Sequence, residues 1–196
     1  MTRADFGPDD YPIVVAIDFG TTFSGCAYAF AEDKEVRTIT TWPKQNAQYA
    51  KTPTLNLYKK INGKYTMVEW GWKSKLKMES PEASQYLQLY QYKPHLDENL
   101  ALARWKDPVT VPDAISDYLR AIHDYVAEKI LQEFGKSYSR HSFRYCLTVP
   151  AMWSDRAKDV MRKAAIRANL VTESDHPNRL MLVSEPEAAA LYCQRA

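Results

Sequence analysis

The stretch from Ile13 to Phe30 constrains the fold more than any other. Two apolar, β-prone runs flank a short polar turn. The first, Ile13 to Ile17, is almost continuously apolar, the pattern of a strand covered on both faces. The second, Cys26 to Phe30, carries Tyr28 and Phe30 at alternate positions. Between them stand an acid (Asp18), a phenylalanine (Phe19), a glycine (Gly20) and two hydroxyls (Thr21 and Thr22). Strands this close in sequence form a hairpin, with glycine where the backbone takes a positive φ or comes close to a ligand. Adjacent N–H groups in such a turn point into one concavity and favour an anion. The threonine hydroxyls add donors for phosphate oxygens. Asp18, at the end of a buried strand, is placed to hold a hydrated cation such as Mg2+, which keeps most of its waters. The bland alternative is a hairpin whose turn happens to read Asp-Phe-Gly-Thr-Thr, because short glycine turns are common.

Downstream, Glu32-Asp33-Lys34 reads as a polar tip and Glu35 to Thr41 as a third antiparallel strand, ended by Trp42-Pro43. From Lys44 to Thr110 tyrosine, lysine and proline dominate and apolar periodicity weakens. Within it, Thr54 to Tyr58 and Tyr65 to Val68 read as short strands around an Asn62-Gly63 turn. Gly71 to Met78 reads as a short helix, and Ser80-Pro81-Glu82 as the start of another. The whole stretch reads as an inserted subdomain on one side of the core.

Val111 to Phe134 is the clearest helix. Pro112 and Asp113 suit its first turn, and Ile115, Leu119, Ile122, Val126 and Ile130 form one apolar stripe before the Gly135 stop. Phe143 to Val149 is a β-rich run ending in Pro150. Ser154 caps a helix to about Leu170, with Val160, Ala164 and Ala168 on its core side. Leu180 to Val183 is another short strand, and Glu185-Pro186 opens an alanine-rich helix, Glu187 to Gln194, able to pack closely. Strands alternating with helices imply parallel pairing. An α/β fold follows, with a mixed five-stranded sheet and packed helices.

Charge narrows the partners. A net charge of +2 sets up no field that recruits nucleic acid or a membrane surface. No apolar run approaches the roughly 18 residues of a membrane span. Cys26, Cys146 and Cys193 lie far apart with no metal-type spacing, which suits a reducing, cytoplasmic compartment. Residues 1–11 lack the apolar core of a secretory signal and read as a mobile tail.

The Asp18–Thr22 run resembles the first phosphate loop of the actin/Hsp70/sugar-kinase superfamily: apolar strand, Asp, apolar, Gly, Thr, Thr, second strand. Two more segments are similar to Hsp70 segments. Cys146 to Asp155 contains a strand ending in Val-Pro-Ala, an aromatic and a helix start. Leu182 to Tyr192 contains a Glu-Pro-x-Ala-Ala-Ala core. The resemblance covers roughly residues 12 to 196, loosely in the insert. Glu69-Trp70-Gly71-Trp72-Lys73 and Met152-Trp153 look most like the divergent twelfth-member branch of the Hsp70 family. It implies a ribonuclease-H-like lobe formed by residues 12–43 and 111–196, with 44–110 inserted.

The resemblance also implies roles. Asp18 matches the acid near Mg2+, acting through water. Gly20, Thr21, Thr22 and Phe23 match the loop around the nucleotide phosphates. Glu185 matches the carboxylate that places the metal or the attacking water; its structural alternative is an acid favoured at a helix N-terminus. Lys93, within Tyr90-Gln91-Tyr92-Lys93-Pro94, matches a phosphate-contacting lysine, with a solvated surface lysine as the alternative. Pro150 matches the proline that relays nucleotide state, and Lys158 stands where the family often has arginine, whose planar fork lysine lacks. A second Asp-x-Gly-Gly loop and a Gly-Gly adenine loop do not occur among the six glycines, so the second lobe is absent from this sequence. The implied function is half of an ATP/ADP-binding domain in a chaperone-like ATPase, with a protein client or co-chaperone as partner. Weak affinity and little turnover are expected of these residues alone. A non-catalytic interaction protein and a sugar-kinase-type member of the superfamily are the alternatives.

Overall fold

A computed structural model describes residues 10–32, 35–97, 105–135 and 138–194. The expected tail falls almost wholly on residues 1–9, outside the described residues, as does most of the polar tip (33–34). Tyr11 corrects the tail's limit: it is buried, with the Arg179 guanidinium 5.3 Å from its ring centroid.

The main sheet has β1 (Ile13–Asp18) at its centre. On one side β2 (Phe23–Phe30) pairs antiparallel with it, followed by β3 (Val36–Thr38). On the other side β8 (Phe143–Val149) and β9 (Leu180–Ser184) run parallel to it. The path β3-β2-β1-β8-β9 is the expected mixed sheet of five, and β4 (Lys51–Pro53) adds a sixth strand by pairing with β2. β4 thus belongs to the core sheet, which corrects the start of the insert: the separate sheet begins at Leu55. β1 is buried on one face only, by Ile13, Val15 and Ile17, while Val14, Ala16 and Asp18 are half-buried.

The second sheet, of order β6-β5-β7, is formed by β5 (Leu55–Ile61), β6 (Lys64–Trp70) and β7 (Tyr86–Tyr90). α1 (Gly71–Met78) packs beside it. Where the sequence pattern predicts a helix from Ser80, a short 3-10 turn, Ala83–Gln85, leads straight into β7. Tyr86-Leu87-Gln88-Leu89-Tyr90 alternates in hydropathy, and its backbone is satisfied by β5, with Leu87 opposite Tyr58 and Leu89 opposite Asn56.

α2 (Val111–Phe134) is capped by Thr110, whose Oγ1 accepts from the Asp113 N–H at 3.3 Å. Its stripe of Ile115, Leu119, Ile122, Val126 and Ile130 is fully buried. α3 (Asp155–Arg167) is capped by Ser154. Its core side is Ala157, Met161, Ala164 and Ala165, so Met161 takes the place predicted for Val160, which is half-buried. The helix also stops three residues earlier than the predicted Leu170. α4 (Glu185–Cys193) has no buried residue, which corrects the close packing expected of its alanines.

Polar bonds fasten the second sheet to α2. Asn56 Nδ2 donates to the Ala114 carbonyl at 2.7 Å, the Tyr58 hydroxyl donates to Asp117 at 3.0 Å and the Tyr92 hydroxyl donates to Asn56 Oδ1 at 3.4 Å, while the Tyr118 hydroxyl of α2 donates to the Pro53 carbonyl of β4, in the main sheet, at 3.1 Å. Asn56 and all three tyrosines involved, Tyr58, Tyr92 and Tyr118, are buried, so these bonds satisfy groups that would otherwise be costly to bury. They fix the segment after β7 against the core, and that segment carries Lys93.

Candidate functional site

β1, β8 and β9 are mutually parallel, so their C-terminal ends open on one edge of the sheet. In parallel α/β sheets ligands lie at that edge. β1 ends there with Asp18, β8 with Thr148 just before its last residue, and β9 with Ser184 leading into Glu185, the first residue of α4. The Phe19–Thr22 turn leaves β1 at the same edge.

Phe19 points inward and is completely buried against Tyr92 and Tyr118, with centroids 6.3 and 6.0 Å away. That anchor leaves the backbone of Gly20, Thr21 and Thr22 at the surface. Gly20 is required by space: a Cβ there would lie 2.1 Å from the Phe23 carbonyl oxygen. The Thr22 carbonyl accepts from the Thr54 N–H at 2.8 Å, tying the turn to the residue after β4. Phe23 is 38% exposed, its ring 6.1 Å from that of Trp72.

Lys93 is brought to this edge from outside the main sheet. It opens a 3-10 turn after β7, and its side chain is only 3% exposed. Its ammonium donates to the Phe19 carbonyl and, at 2.6 Å, to Glu185 Oε1. It also lies 5.5 Å from the ring centroids of both Phe19 and Trp153. A buried ammonium is tolerated only with such compensation: a carboxylate, a carbonyl and two aromatic faces. Glu185 is 44% exposed, so the pair is buried at its cationic end and open to water at its anionic end.

Asp18 has partners on both oxygens. Oδ1 accepts from the Thr148 hydroxyl at 2.8 Å, and Oδ2 accepts from the Lys51 ammonium. Burial alone would raise its pKa. The hydrogen bonds from Lys51 and Thr148, with the charges of Lys51 and Lys93, outweigh burial and hold the carboxyl below its ordinary value. Asp18, Lys93, Glu185 and the Gly20–Phe23 turn therefore meet at one edge, with two ammoniums and two carboxylates in balance.

Pro150 follows β8 and begins a turn in which its carbonyl accepts from the Trp153 N–H at 3.2 Å. Lys158 is not brought to the cluster; its ammonium lies 3.7 Å from Asp155 on its own helix. Three residues at the edge have no sequence signal of their own. Lys51 is one of many lysines in a stretch that reads as surface. Thr148 is one hydroxyl in an apolar strand. Trp153 reads as a family mark, and its contact with Lys93 depends on a fold that spans sixty residues of chain. A separate, roomier cleft of about 710 Å3 lies between the second sheet and α2, lined by Tyr58, Lys60, Asp117, Arg120 and Arg167 among others. It contains none of the predicted site residues.

Mg2+ takes oxygen ligands, and Asp18 and Glu185 supply carboxylates. Each already carries a lysine ammonium, so the arrangement as it stands does not fit a divalent metal ion.

No protein-family model matches the chain. Among curated proteins, human heat shock 70 kDa protein 12B is 30% identical over 198 residues, an alignment that covers 94% of this chain. Mouse heat shock 70 kDa protein 12A is 29% identical over 197 residues, covering 93%. The chain is thus similar to these Hsp70-type proteins over nearly all of its length. The chain spans 28% of the length of these two relatives. Among solved structures, MreB5 of Spiroplasma citri bound to ADP superimposes with a TM-score of 0.53 over 93% of this chain and 41% of its own, at 14% identity. The chain therefore has the actin-like fold seen in that structure. None of its described helices is long and apolar enough to cross a membrane.

Proposed function

We propose that the C-terminal edge of the parallel strands is the phosphate-binding wall of an ATP site in an Hsp70-like protein that couples nucleotide state to a protein partner. Lys93 carries this reading. A chain does not bury an ammonium beside a glycine turn for stability alone, because a buried ion pair is seldom more stabilising than apolar residues of the same size. In this reading the Gly20–Phe23 backbone cradles the β- and γ-phosphates of ATP or ADP, and Lys93 leaves Glu185 to meet phosphate oxygens. Glu185, released, orients the attacking water. Phosphoryl transfer depends mostly on such positioning and charge stabilisation.

The Mg2+ implied at Asp18, through water, would have to share that carboxylate with Lys51, so no step is routed through a metal ion. Residues 12–43 and 111–196 act as the core lobe in this account, with the insert beginning after β4. Pro150 would report nucleotide state outward, with Lys158 beyond it. Three free cysteines fit a reducing, cytoplasmic setting.

Isothermal titration of ATP tests the reading. The chain should bind ATP with a Kd near 1 mM, about −4.1 kcal/mol, and Lys93→Met should weaken it about tenfold or more. Absence of heat at millimolar ATP, with the chain folded, would remove the reading.

A further inference from the structure

Strand register alone places a lysine on the acid of the glycine turn. In the β1–β2 ladder Asp18 lies opposite Gly25, and in the β2–β4 ladder Gly25 lies opposite Lys51. Residues directly opposite one another project from the same face, so Asp18 and Lys51 share a face with Gly25 between them. Two strand spacings come to about 9.6 Å, a gap that a lysine stem and a carboxylate span together. The residue between them must then be small. A Cβ on Gly25 would stand 2.9 Å from Lys51 Cδ and 3.3 Å from its Cε, so the stem runs directly over the bare glycine backbone. The other Asp18 oxygen is taken by Thr148. The ammonium thus occupies the place at this carboxylate where a hydrated divalent cation would sit, and two cations so close repel.

We propose that Lys51 is a tethered counter-cation of this turn, held over Gly25 so that it competes with a divalent metal ion for Asp18. One consequence, which rests on the nucleotide reading above, is that the turn meets a nucleoside polyphosphate with a positive charge already in place. Binding then depends little on free divalent cation.

Mn2+ alone, followed by electron paramagnetic resonance, reads the competition without nucleotide. Lys51→Met removes the charge and should bind Mn2+ about tenfold more tightly than the wild type, whereas Lys51→Arg should behave as wild type. Lys51→Gln replaces the methionine variant if that one fails to fold. Adding Asp18→Asn to Lys51→Met should abolish the gain, which assigns the ion to that carboxylate. ATP titrated in EDTA and in excess Mg2+ should give wild-type affinities within about threefold, and affinities about tenfold apart for Lys51→Met. Equal Mn2+ affinity in folded wild type and charge-removed variant overturns the proposal. A persistent Mn2+ gain with no ATP binding by any variant supports the competition and counts against the nucleotide reading alone.

Discussion

Stability and function should pull in opposite directions at Lys93, and the asymmetry of its ion pair sets the size of the effect. Lys93 is 3% exposed and Glu185 is 44% exposed. Removing the glutamate's charge with Glu185→Gln strands an ammonium between Phe19 and Trp153, with the Phe19 carbonyl as its remaining charge-compensating partner. Breaking a fully buried pair from one side costs about 3–5 kcal/mol; with Glu185 half in water, roughly 1–2 kcal/mol is expected here. Removing the lysine's charge with Lys93→Met is different. The methionine fills the same channel between two aromatic rings, and Glu185 returns to solvent without penalty. That variant should stay within about 1 kcal/mol of wild type while losing ATP binding. Urea unfolding followed by circular dichroism measures both, with calorimetry for ATP. A loss above about 2 kcal/mol in Lys93→Met, or none in Glu185→Gln, would refute the argument that the ammonium is held in place by its carboxylate.

Other outcomes follow from the same geometry. Because its folded pKa lies below the unfolded value, ionised Asp18 contributes stability that is present above about pH 4 and is lost as pH falls through the folded pKa. The stability gap between wild type and Asp18→Asn should therefore narrow on acidification, as acid-range urea titrations would show; a gap independent of pH contradicts this. Gly20→Ala drives a methyl onto the Phe23 carbonyl, so the turn must shift at a cost of about 1–3 kcal/mol, with loss of ATP binding by calorimetry. Retained affinity would show that the turn is not the cradle. Ile115→Ala, in the fully buried stripe of α2, should cost about 2–5 kcal/mol in urea unfolding and leave ATP affinity unchanged under conditions where the chain is folded. A smaller loss would place Ile115 outside the packed core.

Most of the main sheet was legible because its signals are local. The apolar run of β1, the Ser154 cap, Pro112 and Asp113 in the first turn of α2 and the stripe of that helix each announce an element from a few neighbouring residues. β7 was not, because Ser80-Pro81-Glu82 just before it carries a helix-start signal and the alternation from Tyr86 to Tyr90 is only five residues long. β4 has three residues and no pattern of its own; it exists because β2 extends back to Phe23 and leaves an open edge. The site divides the same way. Asp18 and the Gly20–Phe23 turn are contiguous and readable, and Lys93 and Glu185 were reachable through resemblance. Lys51, Thr148 and Trp153 enter through register and long-range packing, which single-sequence patterns do not encode.

The central claim is that the backbone of Gly20, Thr21 and Thr22 holds the phosphates of a nucleotide. Amide NMR of the labelled chain, titrated with ATP, tests it most directly. The account predicts that the largest shifts fall on these three amides and on Lys93, and that they saturate together. Shifts gathered instead around Lys60, Arg120 and Arg167, with the turn unmoved, would contradict it.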